Sequence, residues 1–284
     1  MKAPEHPDPA DFASACTVRS LGDGTLTADL PHEWSIGTHP HGGFAIALAA
    51  KAAVRMLTER GEPSTDPLVV SAQFLRPLAI GPALLRTDLR RVGRRISVVT
   101  VQFEQRGRSC VEATVTAGRL PVRRPEWVDV PPMAAEPPSR AIPLGGDTAE
   151  GLFNLAKGCD VRIDPATAGY LSGRTGDAPR IRLWVKPRQG APDPYFALLA
   201  GDINPPVVFN LGRFGWAPTA QLTALVRARP APGWLRVFAE CRTIHDPWFD
   251  SDASVIDSTG RLVCQARQLA LAPAPDAGNG GRPG

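Results

Sequence analysis

Hydrophobic and polar positions along the 284-residue chain form two similar series. The first opens on CTVRSLGDGTLTADL, an alternating stretch broken at Gly22-Asp23-Gly24. That pattern predicts a hairpin, because the turn supplies the positive φ that tight hairpins need. The loop PHEWSIGTHPHGG follows, and then alternation stops. GGFAIALAAKAAVRMLTERG lacks proline, is apolar on nearly every side of its first turns, and closes on Gly61. It predicts a buried helix of about four to five turns. Period-two patterning returns in LVVSAQFLRPLA, ALLRTDLRRV, RISVVTVQFEQ and SCVEATVTAG, four strands parted by turn residues.

From about Pro121 to Gly146 the chain is Pro-rich and without period, which predicts an irregular linker; the last residues, 274–284, predict a disordered tail. Between them the series recurs. CDVRIDPATAGYLSG predicts a hairpin. DPYFALLAGD predicts a short helix, with Asp193 as N-cap and Pro194 in the first turn. TAQLTALVRARP, WLRVFAECRT, SDASVIDS and RLVCQARQLALA predict strands. Arg76-Pro77 recurs as Arg229-Pro230, and Gly107-Arg108 as Gly260-Arg261, both 153 residues on (229 − 76 and 260 − 107). Two matches at one offset, within one element order, predict an internal duplication. The expected domains are 1–120 and 147–273, joined by the linker 121–146.

Composition narrows the function classes. Charged residues are 21%, net charge is +4 and spread along the chain, so a nucleic-acid partner is not expected. No apolar run approaches the roughly 20 residues needed to span a bilayer. The start, MKAPEHPDPADFA, is polar, and Cys16, Cys110, Cys159, Cys241 and Cys264 include no CxxC pair. These features predict a cytoplasmic protein with reduced, core-filling thiols.

A helix wrapped by an antiparallel sheet, twice in one chain, resembles the type II double-hotdog family of acyl-CoA thioesterases. The residues carrying the resemblance are HGGFAIALAA, SAQFLRPL, LLAGDIN, PTAQLTA and GRLVCQARQ. It implies an α+β fold of two tandem antiparallel sheets, each around one long central helix. It also implies hydrolysis of an acyl-CoA by direct water attack, no cofactor, and a homo-oligomer paired through its sheets. Matched residue by residue, the water is held by Asp202, Thr219 and Gln268. A carboxylate can take the water's proton as general base, while hydroxyl and amide fix its position. A backbone N–H at Gly42 or Gly43 is the candidate oxyanion donor. Thr223 could share the role given to Thr219. The chain departs from the family pattern at Phe44, Gln221 and Leu222. On the 153 offset, Asp202 and Gln268 correspond to Ala49 and Val115, so the first half lacks both groups.

Other candidates stand beside these. His39 and His41 could ligate a metal with His32 or Glu33, but no zinc-like spacing is present, and a loop entering a helix is the simpler reading. His245-Asp246 could serve a hydratase or dehydratase, but TIHDPWFD reads as a turn between strands. There is no G-x-S-x-G elbow for a serine nucleophile. Arg90, Arg91, Arg94 and Arg95 flank a turn at Gly93, either as a solvated hairpin tip or as a clamp for the phosphates of coenzyme A. The rival to hydrolysis is an acyl-CoA or lipid-binding module without turnover.

Overall fold

The computed structural model describes residues 8, 10–62, 66–145 and 151–274, so all but the first residue of the tail expected over 274–284 lies outside the described residues. The helices are α1 (Phe12–Ala15), α2 (Gly42–Glu59) and α3 (Pro194–Ala200). The first series carries strands β1 (Arg19–Gly22), β2 (Thr25–Leu30), β3 (Ser35–Ile36), β4 (His39–Pro40), β5 (Asp66–Phe74), β6 (Gly81–Arg91), β7 (Ile96–Gln105) and β8 (Arg108–Gly118). The second carries β9 (Ile142–Pro143), β10 (Cys159–Ile163), β11 (Arg180–Pro187), β12 (Thr219–Val226), β13 (Leu235–Glu240), β14 (Ile244–His245), β15 (Trp248–Ile256) and β16 (Leu262–Leu271).

Fourteen of these strands join in one antiparallel sheet, ordered β1-β2-β6-β7-β8-β5-β12-β16-β15-β13-β11-β10-β9, with β14 beside β15. The two sheets expected from the sequence are therefore continuous. They meet where β5 pairs with β12, placing Ala72 opposite Leu222 and Val70 opposite Ala224. A strand that would otherwise be an exposed edge is paired in each half, which removes a site for aggregation.

Helix α2 fills the concave side. Phe44 to Ala50, Ala52 and Ala53 are fully buried, as an apolar sequence on all sides requires. Strands β5 to β8 of the first half pack on it, and α3 of the second half lies against it. Helix α3 has only seven residues, short as DPYFALLAGD predicts and unlike the long second helix that the resemblance implies. Asp193 caps it, accepting from the N–H groups of Tyr195 (3.0 Å) and Phe196 (2.7 Å). Asn204-Pro205-Pro206 follows soon after and cannot extend a helix.

The hairpin expected over CDVRIDPATAGYLSG is a single strand, β10, followed by 3-10 turns at Pro165–Thr167 and Gly169–Ser172. Its partner is β11, RIRLWVKP, an alternating strand absent from the expected series. The segment after β8 is irregular and lies across the second half's outer face, where Trp184 Nε1 donates to the Ala134 carbonyl at 2.8 Å.

The halves correspond strand by strand, with one slip. Core-facing Val111, Ala113, Val115 and Ala117 of β8 match Cys264, Ala266, Gln268 and Ala270 of β16 at the 153 offset. In β12 the core-facing Leu222 and Ala224 match Val70 and Ala72 at 152. The N-caps His41 and Asp193 also differ by 152. The counterpart of Asp202 thus moves from Ala49 to Ala50; both are fully buried alanines, so no carboxylate appears either way.

Candidate active site

The N-terminus of α2 and the C-terminal end of α3 come from opposite halves and meet at two glycines. A Cβ on Gly42 would lie 2.8 Å from Asp202 Oδ2, and one on Gly43 would lie 2.8 Å from the Leu199 carbonyl and 3.0 Å from Asp202 Cβ. Only glycine permits this approach. The Gly43 N–H donates to Asp202 Oδ2 at 2.7 Å. A carboxylate at the end of α3 faces an unfavourable dipole, yet the N-terminus of α2 is aimed at it.

His41 is the N-cap of α2, and its side chain makes no capping bond. Its Nε2 is 3.8 Å from Asp202 Oδ2, with the two side chains 8% and 9% exposed. Nδ1 is buried without a hydrogen-bond partner. Burial raises the Asp202 carboxyl above its usual value, with His41 and the Gly43 N–H pulling the other way. Burial likewise lowers the His41 imidazole, opposed by the charge and backbone of Asp202. Burial is the first cause in both, so the charged form of each is disfavoured.

Thr219 and Gln268 form a second group, with the Thr219 hydroxyl donating to Gln268 Oε1 at 2.7 Å. Simple alternation would put Thr219 on the face of Gln221 and Thr223, away from Gln268. A bulge prevents that: Thr219 pairs with Ala270 while Gln221 pairs with Leu269. The extra residue turns Thr219 onto the core face. Gln268 follows Ala266 on that face, and Ala266 Cβ would stand 3.0 Å from a Cβ on Gly201, the residue before Asp202. The two groups thus occupy one end of one concave surface. No direct hydrogen bond links Asp202 to Thr219 or Gln268 among the described residues.

Thr223 is elsewhere. It pairs with Ser71 and Arg267 on the outer face, where its hydroxyl is 2.8 Å from Ser71 Oγ and accepts from Gln221 Nε2 at 2.7 Å. The arginine hairpin is also remote. The turn holding Arg94 and Arg95 sits where Ile96 meets Gly118, whereas Phe103, Val111 and Phe74 mark the end near Gly42. Seven residues of strand separate these ends, about 23 Å. Arg90 pairs with Asp88 on the surface.

Sequence reasoning set His41 aside as a loop residue. The signal it lacked was Asp202, 161 residues away, which only folding brings beside it. His39 instead meets Trp216, ring centroids 5.0 Å apart. His245 is exposed in a strand pair before Trp248. Among the described residues no group of three or more His, Cys, Asp or Glu could hold a metal, and no helix is long and apolar enough to cross a membrane. Cys16, Cys110, Cys159 and Cys264 are buried free thiols, and Cys241 is half-buried.

Comparison with known proteins agrees with this architecture. A hot dog fold protein from Alicyclobacillus acidocaldarius superimposes with a TM-score of 0.74 at 20% identity, covering 93% of this chain and 98% of that one. The fold is thus a hotdog. The acyl-CoA thioesterase N-terminal domain matches residues 30–118, and the acyl-CoA thioesterase C-terminal domain matches 125–272. The chain belongs to the acyl-CoA thioesterase family. The Thermobifida fusca YX structure named "putative thioesterase II" gives a TM-score of 0.82 at 30% identity, covering 92% of this chain and 97% of its own. The uncharacterized protein Rv0499 of Mycobacterium tuberculosis is 44% identical over 289 residues, spanning 93% of this chain and 98% of that protein.

Proposed function

We propose that this protein is a double-hotdog thioesterase that hydrolyses an acyl-CoA to the free acid and coenzyme A. The observation that carries the reading is the Asp202 carboxylate, buried against the Gly43 N–H at the same end of the concave surface as the Thr219–Gln268 pair. Asp202 Oδ2 is occupied by that N–H, which leaves Oδ1 to accept a proton from water. Gln268 Oε1 is occupied by Thr219, which leaves the amide Nε2 to donate to the water oxygen. The Thr219 hydroxyl oxygen can accept the water's second proton. A water so held attacks the thioester carbonyl as Asp202 takes its proton. Because Gly43 donates to Asp202, the Gly42 N–H is the better oxyanion donor. No step needs a cofactor. Release of free thiol from acyl-CoAs of graded chain length tests the reading. Binding without release would replace it with a non-catalytic acyl-CoA carrier.

A hydratase or dehydratase is the second reading, and one observation favours it. His41 and Asp202 form the histidine–carboxylate pair that the sequence did not reveal. Hydration of an enoyl-CoA without thiol release would select it.

A further inference from the structure

We propose that Arg76, Arg106 and Arg108 hold the phosphate groups of coenzyme A at the open end of this site. The proposal rests on the thioesterase reading above, names its phosphate subsite, and moves that role from the Arg90–Arg95 hairpin.

Phe74 closes β5 with its ring against the start of α2, 3.3 Å from where a Gly42 Cβ would stand. Arg76 lies two residues further on. The N–H groups of Leu75 and Arg76 donate to the Cys110 carbonyl at 2.9 and 3.1 Å. Arg76 Nη1 donates to the Ser109 carbonyl at 2.7 Å. These bonds draw Arg76 to the start of β8, whose first residue is Arg108. Arg106 sits in the preceding turn, with φ at 53°. All three side chains belong to exposed residues at the end of the sheet that carries Gly42.

Their charges are not neutralised. Elsewhere arginines pair with carboxylates, as in Arg55–Glu59, Arg86–Glu104 and Arg267–Asp252. Among the described residues, none of these three does. The acids nearby are engaged: Glu104 with Arg86, and Glu112 with Gln102 and Ser109. The duplicated half supplies a comparison. The counterpart of Arg76 is Arg229, which bonds the carboxylate of buried Asp66. That end of the molecule has Val115 where the other has Gln268, and Tyr195 where the other has Gly43. There the arginine is held by a carboxylate. At the end with Asp202, three guanidinium groups have no carboxylate partner among the described residues, and Arg76 spends only Nη1 on the Ser109 carbonyl. Their planar donor sets suit phosphate oxygens, and the positive field would attract a polyanion to the opening.

The test titrates free coenzyme A and phosphate-free pantetheine into the full chain by calorimetry. The Arg76→Ala/Arg108→Ala variant should bind coenzyme A at least about tenfold more weakly, each tenfold being about 1.4 kcal/mol. Pantetheine binding should not change. Arg90→Ala/Arg94→Ala should leave both ligands unaffected. If the alanine variant fails to fold, Arg76→Gln/Arg108→Gln carries the same expectation. The proposal is overturned if coenzyme A does not bind the wild type. It is also overturned if the variant binds coenzyme A normally, if both ligands weaken equally, or if the hairpin variant loses as much. Thiol release measured in parallel judges the thioesterase reading separately. Loss of coenzyme A affinity in the arginine variant, with no thiol release from the wild type, keeps this subsite and removes the hydrolase.

Discussion

Gly43→Ala probes the contact on which the site depends. The added Cβ would stand 2.8 Å from the Leu199 carbonyl, 3.0 Å from Asp202 Cβ and 3.1 Å from His41 Cε1. Ordinary contact begins near 3.4 Å, so the ends of α2 and α3 must separate by several tenths of an ångström. Overpacking of this kind costs about 1–3 kcal/mol, and a chain of this size loses about 2–4 °C of Tm per kcal/mol. The larger effect should be on rate. The movement lengthens the Gly43–Asp202 bond and shifts the carboxylate, and misplacement approaching 1 Å can cost about 10²-fold. The assay is acyl-CoA thiol release beside a thermal melt. Gly118→Ala is the matched control at the far end of the sheet, where the new Cβ would meet Leu68 Cδ1 at 2.6 Å and the Arg95 carbonyl at 2.9 Å. It should cost stability alone. If both variants lose turnover in proportion to Tm, the glycine contact has no catalytic part and the reasoning fails.

Four further expectations concern single groups. Asp202→Asn should lose about 10²–10⁴-fold in thiol release while keeping its fold; turnover near the wild-type value would remove Asp202 as base. Burial raises the Asp202 carboxyl above its usual value, so its contribution to folding is full below that usual value and lost as pH rises through the raised one. The Tm of Asp202→Asn relative to wild type should therefore improve between pH 4 and neutrality, and a constant difference across that range would contradict the sign. For the same reason the acid limb of kcat/KM should fall at a pH above the usual carboxylate range. Thr219→Val should slow turnover by about 10²-fold and Thr223→Val should not; equal losses from the two would contradict the bulge-directed assignment.

Most of the strand series, the buried α2 and the Asp193 cap were legible because each depends on local patterning or a cap within three residues; β11 and the single strand β10 were not. The residues Asp202, Thr219 and Gln268 came from family resemblance, not from spacing. What the chain concealed was of two kinds. Thr219 and Thr223 are equivalent by alternation, and a single bulge at Ala220 sends them to opposite faces. His41 enters α2 as a loop residue should, at its N-cap, but its neighbour Asp202 is 161 residues away and only folding brings the two together. The Arg90–Arg95 turn is visibly cationic in the sequence, while its place at the end of the strands away from Gly42 is set by strand register. A repeat offset can fix the element order, yet a one-residue slip such as that in β12 changes which side chains face the core.

The seam between β5 and β12 has a consequence for stoichiometry. Two separate copies of a half-length ancestor, related by a two-fold axis, would present two identical centres. In one chain carrying both halves that equivalence need not hold, because a change in one half does not alter the other. Here one end carries glycines, a carboxylate and an amide, while the corresponding positions at the other end hold Tyr195, Ala50 and Val115. The candidate centre also draws on both halves, since Gly43 and His41 come from the first series and Asp202, Thr219 and Gln268 from the second. On the proposed reading, a tight-binding thioester analogue should saturate this protein at one equivalent per chain, and neither half expressed alone should bind it.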